Sequence, residues 1–188
     1  LPEIFKTGFD SVPLPWRPPF YRDQNIHQII TRERANFPGH RHIGLVWSGN
    51  PKNDINKYRA CGLIHLLPLL NLENCRFYSL QKGLPRNDMN KFQAQTTHLL
   101  DLADHLPDMA ATATAIEELD LVITTDTSIS HLAGTMGASS WVLLHDPSDW
   151  RWTTDRATTP WYPQLRLFRQ SQRGVWTTGT LLQATCYF

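Results

Sequence analysis

The sequence predicts an α/β protein, a parallel β-sheet with helices on both faces. Three observations predict it. From His42 onward, short apolar runs alternate with helical stretches, the order that builds right-handed strand–helix–strand crossovers. Several of the runs are apolar on both faces, as strands covered from two sides must be. The stretches between them carry apolar residues at helical spacing.

Taken in order, residues 1–40 form an N-terminal segment and residues 41–188 the domain. The opening run LPEIFKTGFDSVPLPWRPPF carries five prolines and no periodicity, so it is expected to be extended. Phe5, Phe9, Trp16, Phe20 and Tyr21 are expected to pin it to a surface. Residues 24–36 (QNIHQIITRERAN) suggest a short helix, ended by Pro38-Gly39. Strands are expected at Ile43–Ser48, Arg76–Leu80, His98–Leu102, Leu121–Thr124, Trp141–Leu144 and Leu165–Phe168. Helices are expected at Leu63–Leu70, Asp88–Gln95, Asp108–Leu119, Ser128–Met136 and near Thr178–Thr185. In the third of these, Asp108 is placed as N-cap, with Met109, Ala113, Ile116 and Leu119 as its apolar stripe. In the fourth, Ile129, Leu132, Ala133 and Met136 fall on one face.

Composition excludes several partners. Among 188 residues, 18 Lys and Arg meet 17 Asp and Glu, for a net charge of +1. Nucleic acid and membrane surfaces are usually met by a clustered positive excess, so neither is expected. No run reaches the roughly 20 apolar residues of a membrane span. Cys61, Cys75 and Cys186 make no closed disulfide set, which fits a reduced, cytoplasmic compartment.

In a sheet of this kind ligands bind beyond the carboxyl ends of the strands. Three loops there stand out. The first is Ser48-Gly49-Asn50-Pro51, followed by Lys57-Tyr58-Arg59. The second is Gln81-Lys82-Gly83. The third, Thr124 to Gly134, opens a helix at Ser128. The first amides of that helix have no partner within it, and its dipole adds positive charge there. With the small hydroxyl residues Thr127, Ser128 and Ser130, this forms a phosphate cradle of the helix-terminus type. The dipole is worth only about 0.3–1 kcal/mol at an exposed end, so Lys57, Arg59, Lys82 or His131 must supply the rest for a diphosphate. On spacing alone, an ordinary helix cap is the more common use of these residues, and His131 is more often an ordinary helix histidine than a catalytic one. Trp150, Trp152, Trp161 and Tyr162 either stack on a sugar or, their more common use, pin the C-terminal segment to the core.

Missing motifs narrow the field. There is no G-x-G-x-x-G after a strand, no G-x-x-x-x-G-K-[ST], no H-E-x-x-H and no G-x-S-x-G. No Asp-x-Asp pair is present to hold a divalent ion on a nucleotide. Neither a metal nor a cofactor is therefore expected.

The ordered set IGLVWSGNP, KYRACGL, FYSLQKG, DLAD to PDMAATA, LDLVITTDTSISHLAGTMG, WVLLHDPSDWRW and PWYPQLRLFRQ resembles the donor-binding half of glycosyltransferase family nine, the heptosyltransferase family. The likeness spans about residues 40–182. It is nearest to the branch at the C-terminus of bacterial tetratricopeptide-repeat proteins. The resemblance implies the C-terminal, Rossmann-like half of a GT-B fold, which holds a nucleotide-diphospho-sugar without a metal and transfers its sugar with inversion. It further implies that the amides of Thr127, Ser128 and Ile129 hold the diphosphate, within a family motif that falls on Asp126, Thr127 and His131. Asp126 would contact the transferred sugar or fix the loop, and Arg59 or Lys57 would be the basic residue after the first strand. Ser48, Gly49 and Asn50 would form the first loop of the site. Gln81 and Lys82 would approach the ribose, and the segment from Asp104 through Asp108 to Met109 would wall the base. An N-terminal acceptor lobe or tetratricopeptide repeats are implied as partners, and the face that meets such a lobe is expected to favour self-association. The competing expectation is a catalytically silent binding or scaffold lobe of the same fold.

Overall fold

The computed structural model describes residues 2–13 and 19–176. Six strands form one sheet: β1 (Arg41–Val46), β2 (Cys75–Ser79), β3 (Leu99–Asp101), β4 (Leu121–Thr125), β5 (Ser140–Leu144) and β6 (Leu165–Arg169). Their order is β3-β2-β1-β4-β5-β6, and every pairing is parallel. The chain reverses its direction of travel across the sheet between β1 and β4, so a crevice opens beyond their carboxyl ends. All six expected strands are present. The first ends earlier than expected because the Trp47 and Ser48 amides leave the ladder and donate to the Gln81 side chain.

Three longer helices cover the sheet: α1 (Gln24–Asn36), α2 (Met109–Glu118) and α3 (Ser128–Met136). Both α1 and α2 start on an aspartate cap, Asp23 accepting from the Ile26 amide and Asp108 from the Ala111 amide. Ile43, Leu45, Trp47, Leu63 and Phe77 lie in the core on one face of the sheet. Ile26, Ile30, Val46, Tyr78 and Ile116 pack on the other. Ile26 and Ile30 of α1 are fully buried there, so packing runs across the expected division at residue 40 and α1 belongs to the α/β body. Arg34 secures it, donating to the Glu118 carbonyl and pairing with Asp120 at 2.9 Å.

Some expectations are corrected. The opening segment is not uniformly extended: Pro2–Phe5 is a helical turn and Phe9–Ser11 a 3-10 turn, the first entered on a proline whose φ suits a first helical position. Phe5 and Tyr21 are exposed rather than pinned, whereas Phe20 packs beside the α1 core. The Leu63 helix becomes 3-10 after Leu66, because Pro68 has no amide to continue the α ladder. The Asp88 helix stops at Lys91. Met89 and Phe92 reach the core, while Gln93, Ala94 and Gln95 beyond them bury nothing. The helix expected near Thr178–Thr185 lies outside the described residues, as does Trp16. No helix among the described residues is long and apolar enough to cross a membrane.

Candidate functional site

A cleft of about 1000 Å³ lies beyond the carboxyl ends of the central strands. Ser48, Gly49, Asn50 and Arg59 enter it from the β1 loop, and Gln81 and Lys82 from the β2 loop. Asp108 and Met109 enter it from the start of α2, and Asp126, Thr127, Ser128, Ile129 and His131 from the end of β4 and the start of α3. The loops singled out in the sequence thus meet around one space.

The β1 loop is built around Asn56. Its Oδ1 accepts from the Gly49 amide at 2.9 Å and its Nδ2 donates to Ser48 Oγ at 3.1 Å. A Cβ on Gly49 would stand 2.8 Å from Asn56 Oδ1 and 3.0 Å from Arg59 Nη2; only glycine lets the Arg59 guanidinium lie against the backbone. Arg59 Nε is buried with no hydrogen-bond partner. Arg59 also lines the cleft and forms no ion pair among the described residues, so its charge is available to an anion there. Lys57 is a correction. It does not line the cleft, and its ammonium lies over the Tyr58 ring, 5.0 Å from the centroid. Residues two apart on a helical turn point to opposite sides, and Asn56–Arg59 is such a turn.

Gln81 is 3% exposed and its amide is spent on backbone. It accepts from the Trp47 and Ser48 amides and donates to the Ser48 and Lys82 carbonyls. It therefore holds the β1 and β2 loops together, and its polar atoms are not free for a ligand. Lys82 crosses the cleft to donate to the Leu106 carbonyl. Arg86 makes a second latch between the same walls. It pairs with Asp101 and binds both oxygens of Asp104 at 2.7 Å, and these partners hold the guanidinium well above its ordinary pKa.

At the start of α3 the Thr127 hydroxyl accepts from the Ile129 amide at 3.3 Å. The Ser130 amide donates to the Thr127 carbonyl at 3.1 Å. Ile129 is thus already capped, a correction to the expected three-amide grip. The amides of Thr127 and Ser128 have no acceptor among the described residues. Both residues line the cleft.

Asp126, 7% exposed, faces His131, with Nε2 3.8 Å from its Oδ1. Burial pushes the His131 pKa below its ordinary 6.5, with Arg151 adding to the shift and the Asp126 and Asp149 carboxylates opposing it. The imidazole is neutral at pH 7. Trp152 is fully buried against it, whereas Trp150 stays 65% exposed and meets Trp161 edge-on. The aromatic run thus divides between pinning and exposure.

Sequence reading missed Asn56, whose part depends on a loop folded back on itself, and Lys52, which lines the cleft mouth one residue past the noted SGNP. It also missed His145, 4% exposed at the end of β5, with Nδ1 buried and unpartnered. Nothing in its sequence context marks it.

No family model matches the chain. Its fold is shared with solved glycosyltransferases. It matches the structure of ADP-heptose lps heptosyltransferase II of E. coli with a TM-score of 0.66 and 14% identity, over 95% of this chain and 55% of that one. It matches the glycosyl transferase family 9 protein from Veillonella parvula with a TM-score of 0.52 and 12% identity, over 80% and 42%. In sequence it is 31% identical to protein FlbA of Caulobacter vibrioides over 142 residues, 71% of this chain and 23% of FlbA. The chain spans from about a quarter to about half the length of these proteins.

Proposed function

We propose that the chain is the donor-binding lobe of a metal-independent, inverting glycosyltransferase of family nine, and that its cleft holds a nucleotide-diphospho-sugar. One observation carries the reading. The start of α3, where the amides of Thr127 and Ser128 have no acceptor among the described residues, and Arg59 line the same cleft. The fold of the structural neighbours and the ordered motifs of the sequence support it.

In the proposed reaction the bond between the anomeric carbon and the diphosphate oxygen breaks, and its electron pair stays on the diphosphate. An acceptor hydroxyl attacks from the opposite face and gives up its proton to a base on a facing lobe. Charge builds on the leaving group as the sugar becomes oxocarbenium-like. The preorganised amides and Arg59 stabilise that charge more in the transition state than in the ground state. Asp126, buried beside them, accepts from a hydroxyl of the transferred sugar.

Ser128→Pro tests the cradle. Ser128 is the first helical residue, and Thr127 before it is extended (φ −137°, ψ 176°), so proline fits there and deletes one N–H without disturbing α3. Calorimetry with pyrophosphate, ADP, UDP and GDP should show affinity falling about tenfold in Ser128→Pro, the worth of one charge-assisted hydrogen bond. Arg59→Ala should lose at least as much. Binding unchanged in both variants, or absent from the parent chain, would overturn the reading.

A further inference from the structure

His131 is held from three directions by groups outside the phosphate-facing set. Its ring stacks on Trp152, with centroids 5.1 Å apart and planes at 21°. The Tyr162 hydroxyl meets Nδ1 at 3.3 Å. Nε2 faces Asp126 Oδ1 at 3.8 Å. Tyr162 reaches this place because residue 134 is glycine: a Cβ there would stand 2.4 Å from the tyrosine Cγ. Gly134 lies one turn along α3 from His131, on the same face, so the helix carries both the histidine and the notch for the residue that holds it.

A neutral imidazole has one N–H, and the partner of each ring nitrogen decides which. With the proton on Nδ1, the bare lone pair of Nε2 would face the Asp126 carboxylate. With the proton on Nε2, an N–H points toward that carboxylate and Nδ1 accepts from the Tyr162 hydroxyl. The second arrangement is attractive at both ends. The charged groups around the ring are Asp126 at the end of β4 and Asp149 and Arg151 from the Trp150–Trp152 turn. Burial outweighs them and keeps the ring uncharged.

We propose that Tyr162 is a positioning residue that fixes His131 as the Nε2–H tautomer, an uncharged donor aimed between Asp126 and the phosphate-binding end of α3. Its ligand would be an oxygen of the diphosphate–sugar linkage. The identity of that ligand rests on the donor-binding reading, whereas the tautomer belongs to the unliganded chain. A neutral donor suits this place. It supports a phosphate or hydroxyl oxygen without cancelling the Asp126 charge, and it needs no proton from solution.

Long-range proton–nitrogen NMR of the full chain, with His131 assigned by the signal lost in His131→Gln, tests this directly. The parent should show Nε2 protonated and Nδ1 bare above pH 7. Tyr162→Phe keeps the ring packing on Gly134 and removes only the hydroxyl. It should mix the tautomers, because the partner that distinguishes Nδ1 from Nε2 is gone. Pyrophosphate affinity should fall about three- to tenfold. A proton on Nδ1 in the parent, or a tautomer unmoved in Tyr162→Phe, would overturn the proposal. So would a tautomer that mixes while pyrophosphate affinity stays constant. A parent with the Nε2–H tautomer that binds no pyrophosphate would overturn the cradle instead and leave the positioning role of Tyr162 standing.

Discussion

Two helices start on the rim of the same cleft, and their capping residues share nearly the same backbone conformation. The cap of α2, Asp108, has φ −143° and ψ −175°; the cap of α3, Thr127, has φ −137° and ψ 176°. Their chemistry differs. Asp108 sets a carboxylate 2.8 Å from the Ala111 amide and so brings its own anion to the positive end of α2. Thr127 brings a neutral hydroxyl and accepts from Ile129 at a longer 3.3 Å; at both ends the amides ahead of the capped one have no acceptor among the described residues. Helix ends attract anions by unpaired N–H groups and dipole together. On the proposed reading the charge of the cap separates the two ends: α2 is closed by its own carboxylate, and α3 is left to an anion. Arg59 and His131 line the cleft together with the start of α3. Arg86, elsewhere, is paired with Asp101 and Asp104.

The sharpest way to break this comparison is to give α3 the cap of α2. Thr127→Asp should fold as well as the parent, since aspartate is at least as good an N-cap as threonine. The new charge would sit about 4 Å from a bound phosphate, where repulsion reaches about 4 kcal/mol at an effective dielectric of 20. Solvent at the cleft mouth screens part of it, leaving a loss of about a hundredfold in pyrophosphate affinity. Calorimetry and thermal unfolding on the same variant separate the two effects. Undiminished binding would mean that the anion sits elsewhere.

A smaller effect comes from titration. His131 lies one turn into α3, and burial pushes it, together with His42, His65 and His145, below the ordinary histidine pKa of 6.5. Below pH 6.5 the unfolded chain takes up protons that the folded chain refuses. Stability is thus fully present above that pH and is lost as pH falls from there toward the depressed folded values. The unfolding midpoint should drop by several degrees between pH 7.5 and 5.5, each kcal/mol being worth about 2–4 °C at this size. His131→Gln should flatten part of the slope. Saturating pyrophosphate should do likewise, by placing negative charge beside the ring. A midpoint that rises on acidification would mean these rings are charged in the folded state.

The comparison also explains what could be read in advance. The limits of α1 and α3 and the Asp108 cap were legible because helix period and capping are local. The strands were legible as apolar runs, except where a distant residue ends one: β1 stops where it does because Gln81, on the next strand's loop, takes its amides. Choosing Arg59 over Lys57 needed the rotation of a one-turn helix that spacing does not resolve. Asn56 looked like any loop asparagine, because its work depends on the chain returning to Gly49. The contact of Tyr162 with His131 joins residues 31 positions apart, and no local pattern announces it. The exposure of Phe5 and Tyr21 was misjudged because aromatic content signals burial only when a surface is there to receive it.

The mildest test reverses the substitution, at the end of α2. Asparagine caps a helix about as well as aspartate, so Asp108→Asn keeps the bond to the Ala111 amide and removes only the charge. If α2 is closed to anions by its own carboxylate, neutralising it should raise nucleoside diphosphate affinity by about two- to threefold, since screened surface charges are worth well under 1 kcal/mol. Arg59→Ala and Ser128→Pro should lose their affinity to the same extent in this background, because the phosphate has not moved. A gain that survives Arg59→Ala intact would instead place a second anion at α2, and the difference between the two helix ends would then be one of degree.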